Sequence, residues 1–523
     1  LSTTVFPSED ELAEALRNGE IDSVRYVLLL EIIENGIDST NRYLLDEVPN
    51  LFYVHTSQGS FTTNLEGRQT EPFESLSLKS AKRTGYLDQK YYRDLDEKKT
   101  TAYSSTLDFH INGQWLINLQ TRRDKNGRER FTKRSVVFSN KKGKLRQLVI
   151  GNFNTRWGLG TVFGYHGKLL TFSDRLEAES FLYPDFGAYN GLYGTIGLAA
   201  WEGQGLVSFN RDASHALLSA GTMISWRPSK NITAGGICGF NRLENRRLGT
   251  DLKDIKLGVY FKGTYADGYS SFEFSDQLGE NGGAWALVAE GRHHFGMAEI
   301  KYAGWRYDDR FIDFTAGSKA AYMTNHLELP TVEYDLVNKR AGQKGLLIKT
   351  VVRPFLNCEF YNSLLLATRN RDTSNTEYLV GLGGQVTPGF ELSGDYLTRF
   401  KERTVSSGQA DSDRHRFRIE SRFVFNSLSS RIFIAYNIDK GHSDCVSFFA
   451  GLKYHSAGLE NLEIWSNMER IENGLIQYWY MYIKTTQRVL KNISMSVKLG
   501  NAYRRGSETE NQAMVTAELK AVI

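Results

Sequence analysis

From about Phe73 to its end, the chain repeats a pattern in which every second residue is apolar and those between are polar or charged. In Arg414–Phe425 one face carries His415, Phe417, Ile419, Ser421, Phe423 and Phe425, and the other Arg414, Arg416, Arg418, Glu420 and Arg422. In Ile493–Arg504, Ile493, Met495, Val497, Leu499 and Tyr503 oppose Ser494, Ser496, Lys498, Gly500 and Arg504. In Gln512–Ile523, Ala513, Val515, Ala517, Leu519, Ala521 and Ile523 oppose Thr516, Glu518 and Lys520. Side chains of a strand alternate faces with a period of two, so each segment has one greasy and one wet side. Runs of about ten residues of this kind, separated by turn residues, are the signature of a transmembrane β-barrel with a polar interior.

The same grammar predicts strands over Tyr103–Ile111, Gln114–Arg122, Ser135–Asn140, Leu145–Phe153, Leu192–Trp201, His215–Trp226, Ile232–Leu243, Ile255–Thr264 and Ser270–Ser275. It continues over Ala284–Phe295, Ala298–Tyr307, Leu346–Arg353, Glu359–Thr368, Tyr378–Val386, Phe390–Lys401, Arg431–Asn437, Val446–Tyr454, Leu462–Ile471 and Gln477–Val489. Asn112-Gly113 and Asn126-Gly127 are hairpin turns by chemistry, since both residues tolerate the positive φ a tight turn needs. Allowing for merged or weak strands, the count should be even and about 22–26. The last strand should close the barrel on a first strand near Phe73–Tyr86, because an open edge in lipid leaves backbone groups unpaired. Two long irregular stretches, His166–Asn190 and Asp308–Lys344, are the candidates to plug so wide a lumen.

Only the start of the chain reads as helical. Ser8-Glu9-Asp10-Glu11 is an N-cap with an acidic first turn before Leu12, Ala15 and Leu16; Asp22–Asn35 and Ser39–Glu47 give two more helices, the last stopped by Pro49. The expected organisation is a small α-helical domain over residues 1–55, a polar linker over 56–72, and an all-β, large antiparallel transmembrane barrel over 73–523.

Composition agrees. Aromatics at 12% and only 8 Pro suit half-buried pleated surfaces and membrane-interface girdles. The mean hydropathy of -0.41 argues against helical spans, but barrels escape that measure because lumen residues halve the average. A formal charge of +4 is too balanced for a nucleic-acid binder as a whole. Cys238, Cys358 and Cys445 have no metal or redox spacing and read as strand residues. The start, Leu1-Ser2-Thr3-Thr4, has neither basic residues nor an apolar run, so an export signal is expected to have been removed.

Two motifs carry a resemblance. The run Glu34-Asn35-Gly36-Ile37-Asp38-Ser39-Thr40-Asn41 followed by Leu44-Leu45-Asp46-Glu47-Val48-Pro49 resembles the start of bacterial helix-hairpin-helix domains. The segment around Gly151, Asn152, Phe153, Trp157, Gly158 and Gly160 resembles a signature strand and loop of a family that couples such a domain to an outer-membrane barrel. The resemblance implies a Gram-negative-type outer membrane with the helical domain in the periplasm. Membrane lipids and lipopolysaccharide are then the expected partners, with a periplasmic or envelope protein beside them. A working helix-hairpin-helix grips a DNA phosphate with backbone N–H groups in a glycine hairpin. Pro49 is instead followed by Asn50-Leu51-Phe52-Tyr53, with no glycine until Gly59, so the domain reads as degenerate and DNA is not the expected partner.

No nucleophile elbow, phosphate loop or zinc pair is present, so no enzyme, metal or cofactor is expected. His293-His294 point to opposite faces, and Gly158-Leu159-Gly160 lacks the following helix of a nucleotide loop. Asp308, Asp309 and Asp313 read as a solvated loop rather than a glycosidase pair. The feature that stands out is basic. Arg414, Arg416, Arg418 and Arg422, with Lys484, Arg488, Lys498, Arg504 and Lys520, occupy wet faces of neighbouring strands and should form a lumen wall suited to anions or an acidic plug. Glu420, Glu463, Glu469 and Glu518 could equally neutralise it. Phe417, Ile419, Phe423, Val497, Leu499, Val515, Leu519 and Ile523 should face lipid. The expected function is a porin-like channel or transport barrel, or a docking component of an envelope machine. The alternatives are a DNA-uptake barrel and a soluble many-stranded carbohydrate-binding or hydrolase domain, the latter with apolar faces buried between two sheets.

Overall fold

The structure is a computed structural model that describes residues 52–56, 59–63, 83–94, 101–112, 114–123, 129–140, 143–153, 155–164, 189–211, 215–245, 250–278, 283–311, 341–355, 357–369, 373–403, 412–439, 444–455, 461–472, 475–490, 492–504 and 511–522. The three expected helices fall outside the described residues, as do Asn126-Gly127, Asp313 and Ile523.

Alternation folds as written. The strands are β1 (Phe52–Thr56), β2 (Gly59–Thr63), β3 (Arg83–Asp94), β4 (Thr101–Ile111), β5 (Trp115–Arg123), β6 (Glu129–Ser139), β7 (Leu145–Phe153), β8 (Tyr189–Leu198) and β9 (Trp201–Arg211). Then come β10 (His215–Ser229), β11 (Ile232–Asn245), β12 (Thr250–Tyr265), β13 (Gly268–Leu278), β14 (Ala284–Phe295), β15 (Ala298–Tyr307), β16 (Gln343–Phe355), β17 (Cys358–Arg369) and β18 (Thr373–Thr387). The last are β19 (Phe390–Arg403), β20 (Ser412–Phe425), β21 (Leu428–Asp439), β22 (Cys445–Tyr454), β23 (Asn461–Glu472), β24 (Leu475–Leu490), β25 (Ile493–Arg504) and β26 (Asn511–Val522). Strands β3 to β26 pair each with its sequence neighbour, antiparallel, into one closed barrel of 24 strands.

Closure joins the last strand to the first, with Val522 opposite Tyr86 and Met514 opposite Asp94. The first strand is therefore Arg83–Asp94, which starts ten residues after the expected Phe73–Tyr86 and overlaps only its end. Strands β1 and β2 form a separate hairpin across the expected boundary between helical domain and linker.

The two ends of the barrel differ. At one end lie two-residue turns at 199–200, 230–231, 266–267, 296–297, 356–357, 388–389 and 426–427, together with the end of β26 and the start of β3. These turns demand unusual backbone: Ala199 and Asn426 take φ of 51° and 48°, and Gly296 and Gly389 take 57° and 85°. At the other end the connections include 154–188 and 308–342. Short turns at one rim and long connections at the other are the asymmetry of outer-membrane barrels.

Outward residues are mostly apolar and exposed; inward ones are buried, polar over much of the wall and apolar where the docked segment packs and around Phe433, Phe449 and Trp465. On β12, Ile255, Leu257, Val259, Phe261 and Tyr265 are exposed, while Asp254 and Lys256 on the other face are buried. The outward stretch from Ile255 to Tyr265 spans about 34 Å of strand, or about 25 Å of height at the usual barrel tilt, the thickness of a membrane's apolar band. Trp201 stacks on Trp226 at 6.0 Å and Trp115 packs on Phe138 at 4.9 Å, all four next to the short turns, where an aromatic girdle belongs. A soluble sandwich would bury these faces between two sheets; the single closed wall exposes them.

Candidate functional site: the inner wall and the segment docked on it

With strands about 4.8 Å apart and tilted by about 40°, 24 strands give a perimeter of about 150 Å and a backbone diameter near 48 Å if round. Side chains alone cannot fill such a bore. Among the described residues, the stretch at Phe311 turns inward, and a longer piece of chain, Thr155–Gly164, follows β7 into the bore.

This segment is a narrow loop. Arg156 bridges Gly164, the Trp157 N–H donates to the Phe163 carbonyl at 2.9 Å, and the Gly160 N–H donates to the Trp157 carbonyl at 2.9 Å. Gly158 and Gly160 hold φ of 58° and 86°, and the resulting curl turns three successive N–H groups the same way. They converge on Glu273, an inward residue of β13. Its carboxylate accepts from the N–H groups of Leu159, of Gly160 at 3.0 Å and of Thr161 at 3.0 Å, and from the Thr161 hydroxyl. Such a backbone nest is an anion site, and here the anion is the barrel's own side chain. A Cβ on Gly158 would stand 2.4 Å from Glu273 Oε2, so only glycine fits there.

Apolar packing completes the docking. Val162 and Phe163 are fully buried, and the wall makes room for them with glycine: a Cβ on Gly239 would meet Val162 at 2.5 Å and Phe163 at 2.7 Å. Phe163 packs edge-on against Trp157 at 4.9 Å, and Leu159 joins Ala286, Val288, Trp305 and Phe311. Phe311, at the start of the second long connection, also lies in this cluster, with Lys256 Nζ 4.7 Å above its ring. The loop of the family-like signature strand and loop is thus an inward segment, and it starts before the stretch His166–Asn190 expected to plug the lumen. Gly151 holds φ of 102° in β7, and Asn152 and Phe153 are buried beside it.

The basic residues sit on another run of wall, β20 to β26. Arg416, Arg418 and Arg422 are buried on β20, Lys484 on β24 and Lys498 on β25. Carboxylates stand against them. Asp395 takes Arg418 Nη2 at 2.5 Å, and Glu420 takes Arg422 Nε at 2.5 Å and Arg431 Nε at 3.0 Å. Glu518 lies 3.8 Å from Lys484 and 3.3 Å from Lys520. Lys498 Nζ lies 4.1 Å from the centre of the Tyr482 ring, a cation–π contact. Glu463 pairs in register with Lys484, and the side chains of Glu469 and Arg504 fall outside the described residues. Arg414 is half-buried at the loop end and Arg488 exposed near the short turns. Sequence reading had missed Asp395 and Arg431 as members of this network; both are inward residues of adjoining strands, identifiable once register is known. Phe417, Ile419, Phe423, Leu499 and Leu519 are exposed on the outer face, and Val497 and Val515 lie partly exposed on it. Asp308 turns back to Arg310, its Oδ1 accepting the Arg310 N–H at 2.9 Å.

No protein-family model matches the chain, and no curated protein matches it. Solved structures do match. An E. coli P pilus tip assembly intermediate, PapC-PapD-PapK-PapG, aligns with TM-score 0.51 and 10% identity over 84% of this chain and 60% of that one. The P pilus usher (PapC) translocation pore aligns with TM-score 0.43 and 10% identity over 84% and 99%. The siderophore receptor PirA from Pseudomonas aeruginosa aligns with TM-score 0.46 and 7% identity over 85% and 80%. This chain spans less than two thirds of the matched chain of the pilus assembly, and at these identities the likeness, carried by that assembly, is one of fold alone.

Proposed function

We propose that the chain is an outer-membrane barrel that carries a gated transport pathway, with residues 155–164 forming part of the gate. The observation that supports this most is the pairing of an apolar outer band with a polar interior that holds a docked segment of chain. The width of the wall favours a large cargo or docking partner over a small solute, because a backbone diameter of about 48 Å, less the reach of the inward side chains, still far exceeds what a small solute needs. A role as docking component of an envelope machine fits the same width. In this reading the short-turn rim faces the periplasm and the N-terminal region enters from that side, since β3 begins there.

The test is conductance of the purified protein in a planar bilayer, compared with a variant lacking residues 155–188. The intact protein should be mostly silent and the variant should conduct steadily. A variant that inserts but never conducts would overturn the pathway. Full solubility of the native protein without detergent would overturn the membrane assignment.

A further inference from the structure

We propose that Arg306 and Lys344, on the outer face at the loop-bearing rim, form a binding site for the phosphate of a membrane lipid headgroup; the inference rests on the membrane reading above. Arg306 of β15 and Lys344 of β16 stand directly opposite each other in the register. Both side chains are exposed, and both point outward, since Trp305, Tyr307 and Gln343 beside them are buried on the inner face. Like charges directly opposite on neighbouring strands destabilise a sheet, so something must offset their repulsion.

No carboxylate among the described residues does so. The acid nearest in sequence, Asp308, engages Arg310 at 3.4 Å. Arg306 instead lies 5.2 Å over the ring of Trp285, and Lys344 has no ion pair among the described residues. The position in height points to lipid. Leu287 stands directly opposite Arg306, and the next outward residues toward the middle of the wall on β16 and β17 are Leu346 and Leu366, all three exposed, so the two cations sit at the upper edge of the apolar band. That is the level of phosphates in a bilayer, and a tryptophan beneath the guanidinium is the residue expected at that boundary. Arginine offers a planar fork to phosphate oxygens and lysine a mobile point charge, so the pair can hold one phosphate from two sides.

The test uses the full chain in phosphatidylcholine vesicles doped with phosphatidic acid, with retained lipid read by native mass spectrometry. The wild type should retain phosphatidic acid over phosphatidylcholine. The R306Q/K344Q protein, whose changes are on exposed positions, should still enter the vesicles and lose that retention by about 30-fold, as expected for two basic residues near a charged surface. R306K should keep most of it. Equal retention by wild type and double variant would overturn the site. Displacement of the lipid by an equal concentration of inorganic phosphate would overturn the assignment to a lipid source. Failure of the wild type to enter vesicles would overturn the membrane reading, and the site with it.

Discussion

Replacing Glu273 with alanine should open the barrel. The carboxylate receives four hydrogen bonds, from three backbone N–H groups and one hydroxyl of the docked segment. At about 1.5–3 kcal/mol for each bond to a charged group, the four bonds sum to roughly 6–12 kcal/mol, about 9 kcal/mol at mid-range when taken as additive. Burial of Trp157, Leu159, Val162 and Phe163 adds roughly another 9 kcal/mol at about 1.5–3 kcal/mol each. Against these stands the ordering of the loop, roughly 15 kcal/mol for about ten residues. The docked state is therefore favoured by only a few kcal/mol, and losing the clasp reverses it. Glu273→Ala should shift single-channel records from mostly closed to mostly open. Glu273→Gln should fall between, since its amide keeps one acceptor but presents N–H groups to donors. If Glu273→Ala stays as silent as wild type while the variant lacking residues 155–188 conducts, the clasp is not what holds the segment, although the pathway stands.

Gly239→Ala should also raise open probability, because the new methyl meets Val162 and Phe163 side chains rather than backbone, and the wall itself need not move. Gly158→Ala should do the same more strongly, adding a left-handed conformation cost of about 1–2 kcal/mol to a clash with the Glu273 carboxylate. Leu499→Arg, at mid-height on the outer face, should cost roughly 2–4 kcal/mol in urea titrations of the folded barrel in lipid; no loss there would mean Leu499 does not face the apolar band. A cysteine pair at Gln89 and Leu519, opposite each other across the closure, should crosslink in membranes once Cys238, Cys358 and Cys445 are replaced by serine; no crosslink in the inserted protein would mean the sheet closes elsewhere.

What could be read in the chain depended on how much of the signal was local. Strands β20, β25 and β26 carry clean alternation and were legible outright. β9 was not separated from β8 because the turn between them is Ala199-Ala200, which has none of the usual turn residues, and because Gly203 and Gly205 dilute its pattern. β3 begins later than its expected place near Phe73–Tyr86 because Asp88 and Lys90 on one face and Gln89 on the other blur the contrast between its faces. The clasp was beyond reach for a different reason. Gly158 and Gly160 announced a tight bend, but its partner lies 114 residues from Leu159, on a strand where Glu273 looks like any lumen carboxylate. Backbone N–H groups carry no sequence signature; only the fold brings them to an anion.

The inner wall shows why counting basic residues on wet faces overstates its charge. A strand such as β20 presents Arg416, Arg418 and Arg422 on one side, yet β19 sets Asp395 directly opposite Arg418, and Glu420 lies between Arg418 and Arg422 on the same face. Arginines excluded from water are tolerable only with such partners, because an unpaired buried charge costs several kcal/mol. The pairing fixes β19, β20 and β21 in register more firmly than it charges the lumen. A wall built this way lends rigidity to β19–β21, a run of strands outside those that hold the docked segment, so that movement of the segment, rather than deformation of the barrel, is the cheaper route to an open state. Any preference for anions would then come from charges that become solvated on opening, not from the full count of arginines and lysines on the wall.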